Sequence, residues 1–314
     1  ARMMRRGAAT GAVTVGLAAL AVFVIATVNV RSVQADTYYK QGIGYEGVGQ
    51  WEGSVVLYRE AARLQPREDY YYLFLGRALL QLADTVQEGT AVLPEDLSSI
   101  PTDQLLSVVD RGIQSRTRED ILRAANAALV GAQRLNPLNT DHAANLARLN
   151  RAWAFSGAVT PGQTGDPGYL REVLAQTPDR VNQARLLAAV DYYRQAVALS
   201  PQNAGLWNEL ATVQYIQDDL AGAAETLNSS IQVDDRYYPT YLLLGDVRTA
   251  QNDLPAALEA YQRAAEISPK NISVLSAVGV TGAEAGQPQA SVDAFQRIIS
   301  LQTAALQATQ AQLT

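Results

Sequence analysis

The chain has 314 residues, enough for one large domain or an extended repeat array. Hydrophobic residues make up 48% and charged residues 18%, a balance that fits a packed protein and excludes wholesale disorder. Cysteine is absent, histidine occurs once and the net charge is −6; this removes disulfides, thiolate chemistry and cysteine metal sites, leaves no His cluster for a metal, and argues against nucleic acid as a partner.

The N-terminus stands apart in charge. Residues 1–35 carry Arg2, Arg5, Arg6 and Arg31 and no acid, which leaves −10 on residues 36–314. Between Gly7 and Val30 runs the uncharged stretch GAATGAVTVGLAALAVFVIATVNV. As a helix it would be about 36 Å long, enough to cross a hydrocarbon core of about 30 Å. Three arginines before it and one after predict the N-terminus inside and the bulk outside the cytoplasmic membrane, in the cell envelope or beyond. A cleaved signal peptide is the rival reading, and Val33-Gln34-Ala35 offers small residues for cleavage. The apolar run is too long for that, and Arg31 intervenes. Gly7, Gly11 and Gly16 suit close helix packing, so the segment 1–34 is expected to sit in lipid or against neighbouring subunits. Ala1 is either a processed start or an internal residue of a longer chain.

From residue 35 a period of 34 organises the chain. Trp207, Tyr241 and Leu275 recur at that interval, as do Gly245 and Gly279, Ala223 and Ala257, and Tyr261 and Phe295. The first unit places Tyr38, Gly42, Tyr45, Gly49, Tyr58, Ala61 and Pro66 at positions 4, 8, 11, 15, 24, 27 and 32. Small residues at 8, 20 and 27 allow helices to approach, a turn former near 15 separates two helices, and proline at 32 stops the second. The units read 35–68, 69–139 with insertion 84–118, 140–203 with insertion 157–180, 204–237, 238–271 and 272–305, followed by a tail, 306–314. Pro66, Pro137, Pro201 and Pro269 close units, and Asp235 stands where unit four would have a proline. The first insertion holds an amphipathic stretch from Gln104 to Ile113; the second is a Gly/Pro loop with a short helix from Tyr169 to Gln176.

This pattern resembles the tetratricopeptide repeat from residue 35 to about 305. The resemblance implies an all-α, right-handed superhelical solenoid of about six helical hairpins, here joined to the N-terminal hydrophobic helix. It also implies a non-enzymatic scaffold whose partner is a protein or peptide, with no cofactor and no metal. In this family, positions 2, 5, 9 and 12 of each first helix line the binding groove. Carried over, these positions are Tyr39 and Ile43, Leu73 and Arg77, Arg148 and Arg151, Asn208, Thr212 and Tyr215, and Asp246 and Thr249. Arg77, Arg148 and Arg151 form a basic patch suited to a carboxylate, or else pair with nearby acids. The Lys/Asn/Lys/Arg set that clamps a C-terminal carboxylate in some relatives is missing.

The 15 tyrosines include repeat-core positions (Tyr58, Tyr72, Tyr193, Tyr241, Tyr261), with neighbours left to face an interface. His142, at position 3 of a first helix, is expected on the surface. Asn228-Ser229-Ser230 and Asn271-Ile272-Ser273 match a glycosylation triplet that is common by chance. The uncharged tail SLQTAALQATQAQLT caps a solenoid poorly, so homo-oligomers are expected, including head-to-tail polymers and a self-assembling filament or tube. The stretch 36–80 also resembles the soluble tail of bacterial membrane proteins related to O-antigen ligases; on that reading this chain is the binding portion of a larger glycopolymer ligase.

Overall fold

A computed structural model describes residues 13–23, 30–160, 162–163 and 165–312, which form helices and no strands. Among the described residues no helix is long and apolar enough to cross a membrane. The span expected over 7–30 lies partly outside them, at 7–12 and 24–29; residues 13–23 are helical (α1) and exposed. The chain forms two compact units, Ala1–Asn145 and Leu146–Thr314.

The first unit continues with α2 (Val30–Gly47), α3 (Trp51–Leu64), α4 (Asp69–Ala83), α5 (Leu105–Ser115) and α6 (Arg118–Leu135). α7 (Thr140–Ala154) runs across the division. The second unit adds α8 (Pro167–Gln176), α9 (Gln183–Leu199), α10 (Ala204–Ile216), α11 (Leu220–Val233), α12 (Tyr238–Ala250), α13 (Leu254–Ile267), α14 (Ile272–Glu284) and α15 (Pro288–Gln312). Helices pair as hairpins: α2 with α3, α4 with α6 across the inserted α5, α10 with α11, α12 with α13, and α14 with α15.

The repeat period has a physical cause in each hairpin. The small residue of the first helix accepts the flat side of an aromatic from the second. A Cβ at Gly42 would stand 2.5 Å from the Tyr58 ring, and one at Gly279 would stand 2.7 Å from Phe295. Between the helices, Gly49, Asp218, Asn252 and Gly286 all adopt the left-handed conformation, with φ of 72°, 64°, 60° and 71°. Only Gly, Asn and Asp enter that region at low cost, which is why position 15 uses those residues. Asp219 and Asp253 then cap α11 and α13, accepting from Gly222 N and Ala256 N at 2.9 and 3.2 Å.

Residues 84–117 are pinned rather than loose. Asp120, fully buried, accepts from the backbone of Val92 (3.1 Å) and Leu93 (2.9 Å). Arg118 binds Asp84 at 3.1 Å and Glu88 at 3.0 Å, and Arg134 donates to Leu97 O at 2.8 Å. α5 lays Leu105, Val108 and Val109 onto α6. In the second insertion α8 starts at Pro167, two residues before the expected start at Tyr169. Proline at the first turn needs no N–H partner, and Asp166 caps the helix by accepting from Tyr169 N at 3.1 Å.

His142 departs from the expectation of a surface residue: it is fully buried, with Nε2 2.6 Å from Asp69 Oδ2. Asn139 donates to the same oxygen at 3.4 Å. Helical periodicity alone does not show that the start of α4 lies across this face of α7. Burial raises the Asp69 carboxyl, but donors from His142, Asn136 and Asn139 outweigh it and bring the group below its ordinary value. His142→Ala, which removes the shortest of that carboxylate's bonds and leaves it to Asn136 and Asn139, is expected to cost about 2 kcal/mol of stability at neutral pH. The Asp69 contribution is present above pH ~4 and fades as pH falls through the lowered folded value. Thermal melts of parent and variant from pH 3 to 7 check both statements.

Candidate interaction surface

In the first unit the groove positions meet an aromatic platform. Tyr39 is buried among Tyr58, Tyr70 and Phe74, with ring centroids at 5.8, 4.8 and 5.0 Å, and its hydroxyl bonds that of Tyr70. Leu73 is buried too, while Ile43 and Tyr70 are exposed. Glu46 accepts from Tyr58 Oη at 2.7 Å and from Arg77 at 3.2 Å, and Arg77 lies over the Phe74 ring. Arg77 is thus paired with an acid rather than free to act as a lone positive site.

In the second unit the first helices α10 and α12 lie side by side. α10 touches α12 directly, and Arg148 on α7 donates to Glu209 on α10 at 2.8 Å. α9 is held to α7 by Arg185, which stacks over Trp153 and donates to Asn150 Oδ1 at 3.1 Å. Among the described residues Arg151 Nε and Asn208 Oδ1 have no hydrogen-bond partner, while the fully buried Tyr193 turns its hydroxyl to the Glu209 carboxylate. Burial, with the charge of Glu209 nearby, pushes the Tyr193 hydroxyl up, so it stays protonated.

Further along, Tyr215 is covered by the Arg171 guanidinium of α8 at 5.4 Å, and Arg171 bonds Asp218 at 3.0 Å. Asp246 accepts from Tyr261 Oη at 2.7 Å and forms no ion pair among the described residues. Burial pushes its carboxyl up to about 6; the Tyr261 bond pulls it down and the charge of Asp166 pushes it up. Thr212 is buried and bonds its own helix at Asn208 O.

A raised carboxyl in the folded state lowers stability once the unfolded chain ionises. Stability is full below pH ~4 and falls as pH rises through about 6. Asp246→Asn is therefore expected to add about 2 kcal/mol at pH 7.5 and to flatten the slope between pH 4 and 6. Denaturant titrations at several pH values measure it, and an unchanged slope would refute the assignment.

The groove rule named Arg148, Arg151, Asn208, Tyr215 and Asp246 but not the partners that shape them. Glu209 sits off the groove register, Tyr193 reads as plain core, and Arg171 belongs to an insertion. The only sequence signal was charge complementarity between Arg148 and Glu209, 61 residues apart.

Comparison with known proteins gives two family-model matches: a tetratricopeptide repeat over residues 174–239 and a TPR repeat over 245–286. The chain is 29% identical over 93 residues to the BBSome complex member BBS4 of Mus musculus, which covers 30% of this chain and 18% of that protein. It is 23% identical over 159 residues to a TPR repeat-containing protein of Rhizobium etli, covering 48% of this chain and 73% of that one. The chain thus spans under a fifth of BBS4. Among solved structures, pilF of Pseudomonas aeruginosa superposes with a TM-score of 0.51 at 15% identity, covering 90% of this chain and 99% of that one. The chain carries tetratricopeptide repeats and has their all-helical fold.

Proposed function

We propose that this chain is a protein-interaction scaffold that holds an extended segment of a partner along the first-helix face of residues 146–314. Tetratricopeptide proteins bind proteins or peptides, and one observation on this face carries the reading. Arg151 and Asn208 keep buried polar atoms unsatisfied among the described residues, where a self-sufficient surface would have paired them or left them in water. The mouse relative is a member of a complex, which accords with a role as one subunit among several. A photo-crosslinking residue at Asn208, half-buried on this face, tests the reading against one at Asn228, which is exposed on α11. A discrete adduct from position 208 alone is expected; the same adducts from both positions, or none, would refute it.

A second reading concerns residues 13–23, where Val13, Val15, Leu17, Leu20, Val22 and Phe23 are all more than half exposed. Such a row needs cover, and the arm serves as an attachment to the membrane, with the bulk outside, or to a neighbouring copy. The exposed Ile299 and Leu306 of α15 give an assembling chain a second contact face. Electron microscopy and vesicle flotation of the full chain beside one starting at Asp36 separate these. Filaments lost on truncation support assembly; flotation lost on truncation supports the membrane. No difference between the two proteins removes the arm from either role.

A further inference from the structure

We infer that α15 of one copy is the docking face for α2 of a second copy, which stacks there as one further repeat would. The inference rests on the assembly reading above and specifies which two faces meet and in what register. Leu258, Tyr261 and Ala265 of α13 are 1%, 4% and 9% exposed, packed in one cluster with Val274 and Val278 of α14. One period of 34 further on, Val292, Phe295 and Ile299 of α15 hold the same repeat positions and are 47%, 41% and 62% exposed. No later helix among the described residues covers them. A repeat array normally ends on a polar cap, and this one ends on an apolar stripe.

α2 offers the matching face. In α12, Thr240, Leu243 and Val247 turn toward the preceding hairpin. Thr240 bonds Ser230 of α11 at 2.8 Å, and Leu243 and Val247 pack with Ala224 and Leu227. The same positions of the first unit are Thr37, Lys40 and Gly44, all exposed. Both terminal helices also overhang the repeat. α2 has 18 residues where α10, α12 and α14 have 13, and the excess, at its start, adds the exposed Val30 and Val33. α15 has 25 residues where α11 and α13 have 14, and the excess, at its end, adds the exposed Thr303 and Leu306.

The Ser230–Thr240 bond sets the register, because α12 doubles back from the end of α11. Carried over to a second copy, it lays Val292 on Gly44, Phe295 on Lys40, Ile299 on Thr37, Thr303 on Val33 and Leu306 on Val30. The two overhangs then meet each other. Lys40 does not oppose this, since Asp36 holds its ammonium at 2.6 Å and leaves the stem free to lie on the Phe295 ring. Beyond Arg297 the sequence carries no charge, so docking desolvates none there. Pairing two α15 faces instead would leave Val30 and Val33 uncovered. A second copy is therefore the occupant that satisfies both ends of the chain.

The sequence lacks cysteine, so disulfide trapping in the full chain tests the contact. Thr37→Cys and Ile299→Cys chains, mixed and oxidised, are expected to give a cross-linked dimer that neither variant gives alone. Links between two Ile299→Cys chains would show α15 pairing with itself and overturn the stacking. Links from Ile299→Cys to Val15→Cys in place of Thr37→Cys would put the arm on α15, which overturns the stacking but leaves assembly standing.

Sedimentation supplies an independent readout. Ile299→Glu and Thr37→Lys are each expected to weaken self-association about tenfold with melting unchanged, because both side chains are exposed, and the mixed variants are expected to recover most of it. Association indifferent to both charges overturns the stacking, as does an oligomeric parent without the Thr37–Ile299 link. A parent that sediments as a monomer at every concentration, with no cysteine pair linking, removes the assembly reading and the stacking with it.

Discussion

Gly245→Val is expected to cost about 3 kcal/mol and to loosen the hairpin of α12 and α13. A Cβ at Gly245 would stand 2.6 Å or less from three atoms of the Tyr261 ring. That ring cannot swing into water, because Tyr261 is 4% exposed and packed in the cluster of Leu258, Val274 and Leu275. Moving it would also break the bond from Tyr261 Oη to Asp246, so the substitution reaches the interaction face. Gly44→Ala is the control: nothing lies within 4 Å of its Cβ position in α2. There the change is expected to stabilise by about 0.5–1 kcal/mol, since helical glycine loses more backbone entropy than alanine. Urea unfolding followed by hydrogen exchange measures both and shows whether the loss stays local, as a nearest-neighbour array requires.

Asp120→Ala is expected to have a comparable effect, about 3 kcal/mol, confined to the first unit. The carboxylate is buried and caps the Val92 and Leu93 amides, so alanine leaves both backbone donors without an acceptor. Burial raises the Asp120 carboxyl, but the Leu93 and Val92 amides with the Ser115 and Thr117 hydroxyls outweigh it and hold the group below its ordinary value. Its contribution is therefore present above pH ~4 and disappears as pH falls through that lowered value. Residues 84–117 should become cleavable by protease in the variant at neutral pH, and in the parent only in acid. A segment that stays resistant in Asp120→Ala would show that the Arg118 and Arg134 bonds suffice without it.

The repeat was legible because its determinants are local. Glycine against aromatic within one hairpin, a left-handed residue at the turn, and proline after the second helix all act within one period, so a single chain displays them. The interaction face was legible only in part. Position counting marked Arg151, Asn208 and Asp246, but it also marked Tyr39, whose ring is buried under Tyr70 and Phe74. Counting also treated Arg77, Arg148 and Arg151 alike. Two of them carry an acid partner, and the third has none among the described residues.

By itself the sequence determined the hairpins, their turns and the helical class, since backbone sterics and apolar spacing operate over a few residues. Tertiary structure decided which polar groups are satisfied. Asp69 meets His142 73 residues later, Arg148 meets Glu209 61 residues later, and the buried Tyr193 hydroxyl meets that same Glu209. Such pairings depend on which faces the stacked hairpins bring together. No local rule contains that information, because a side chain's desolvation and its partner are both set by neighbours distant in the chain.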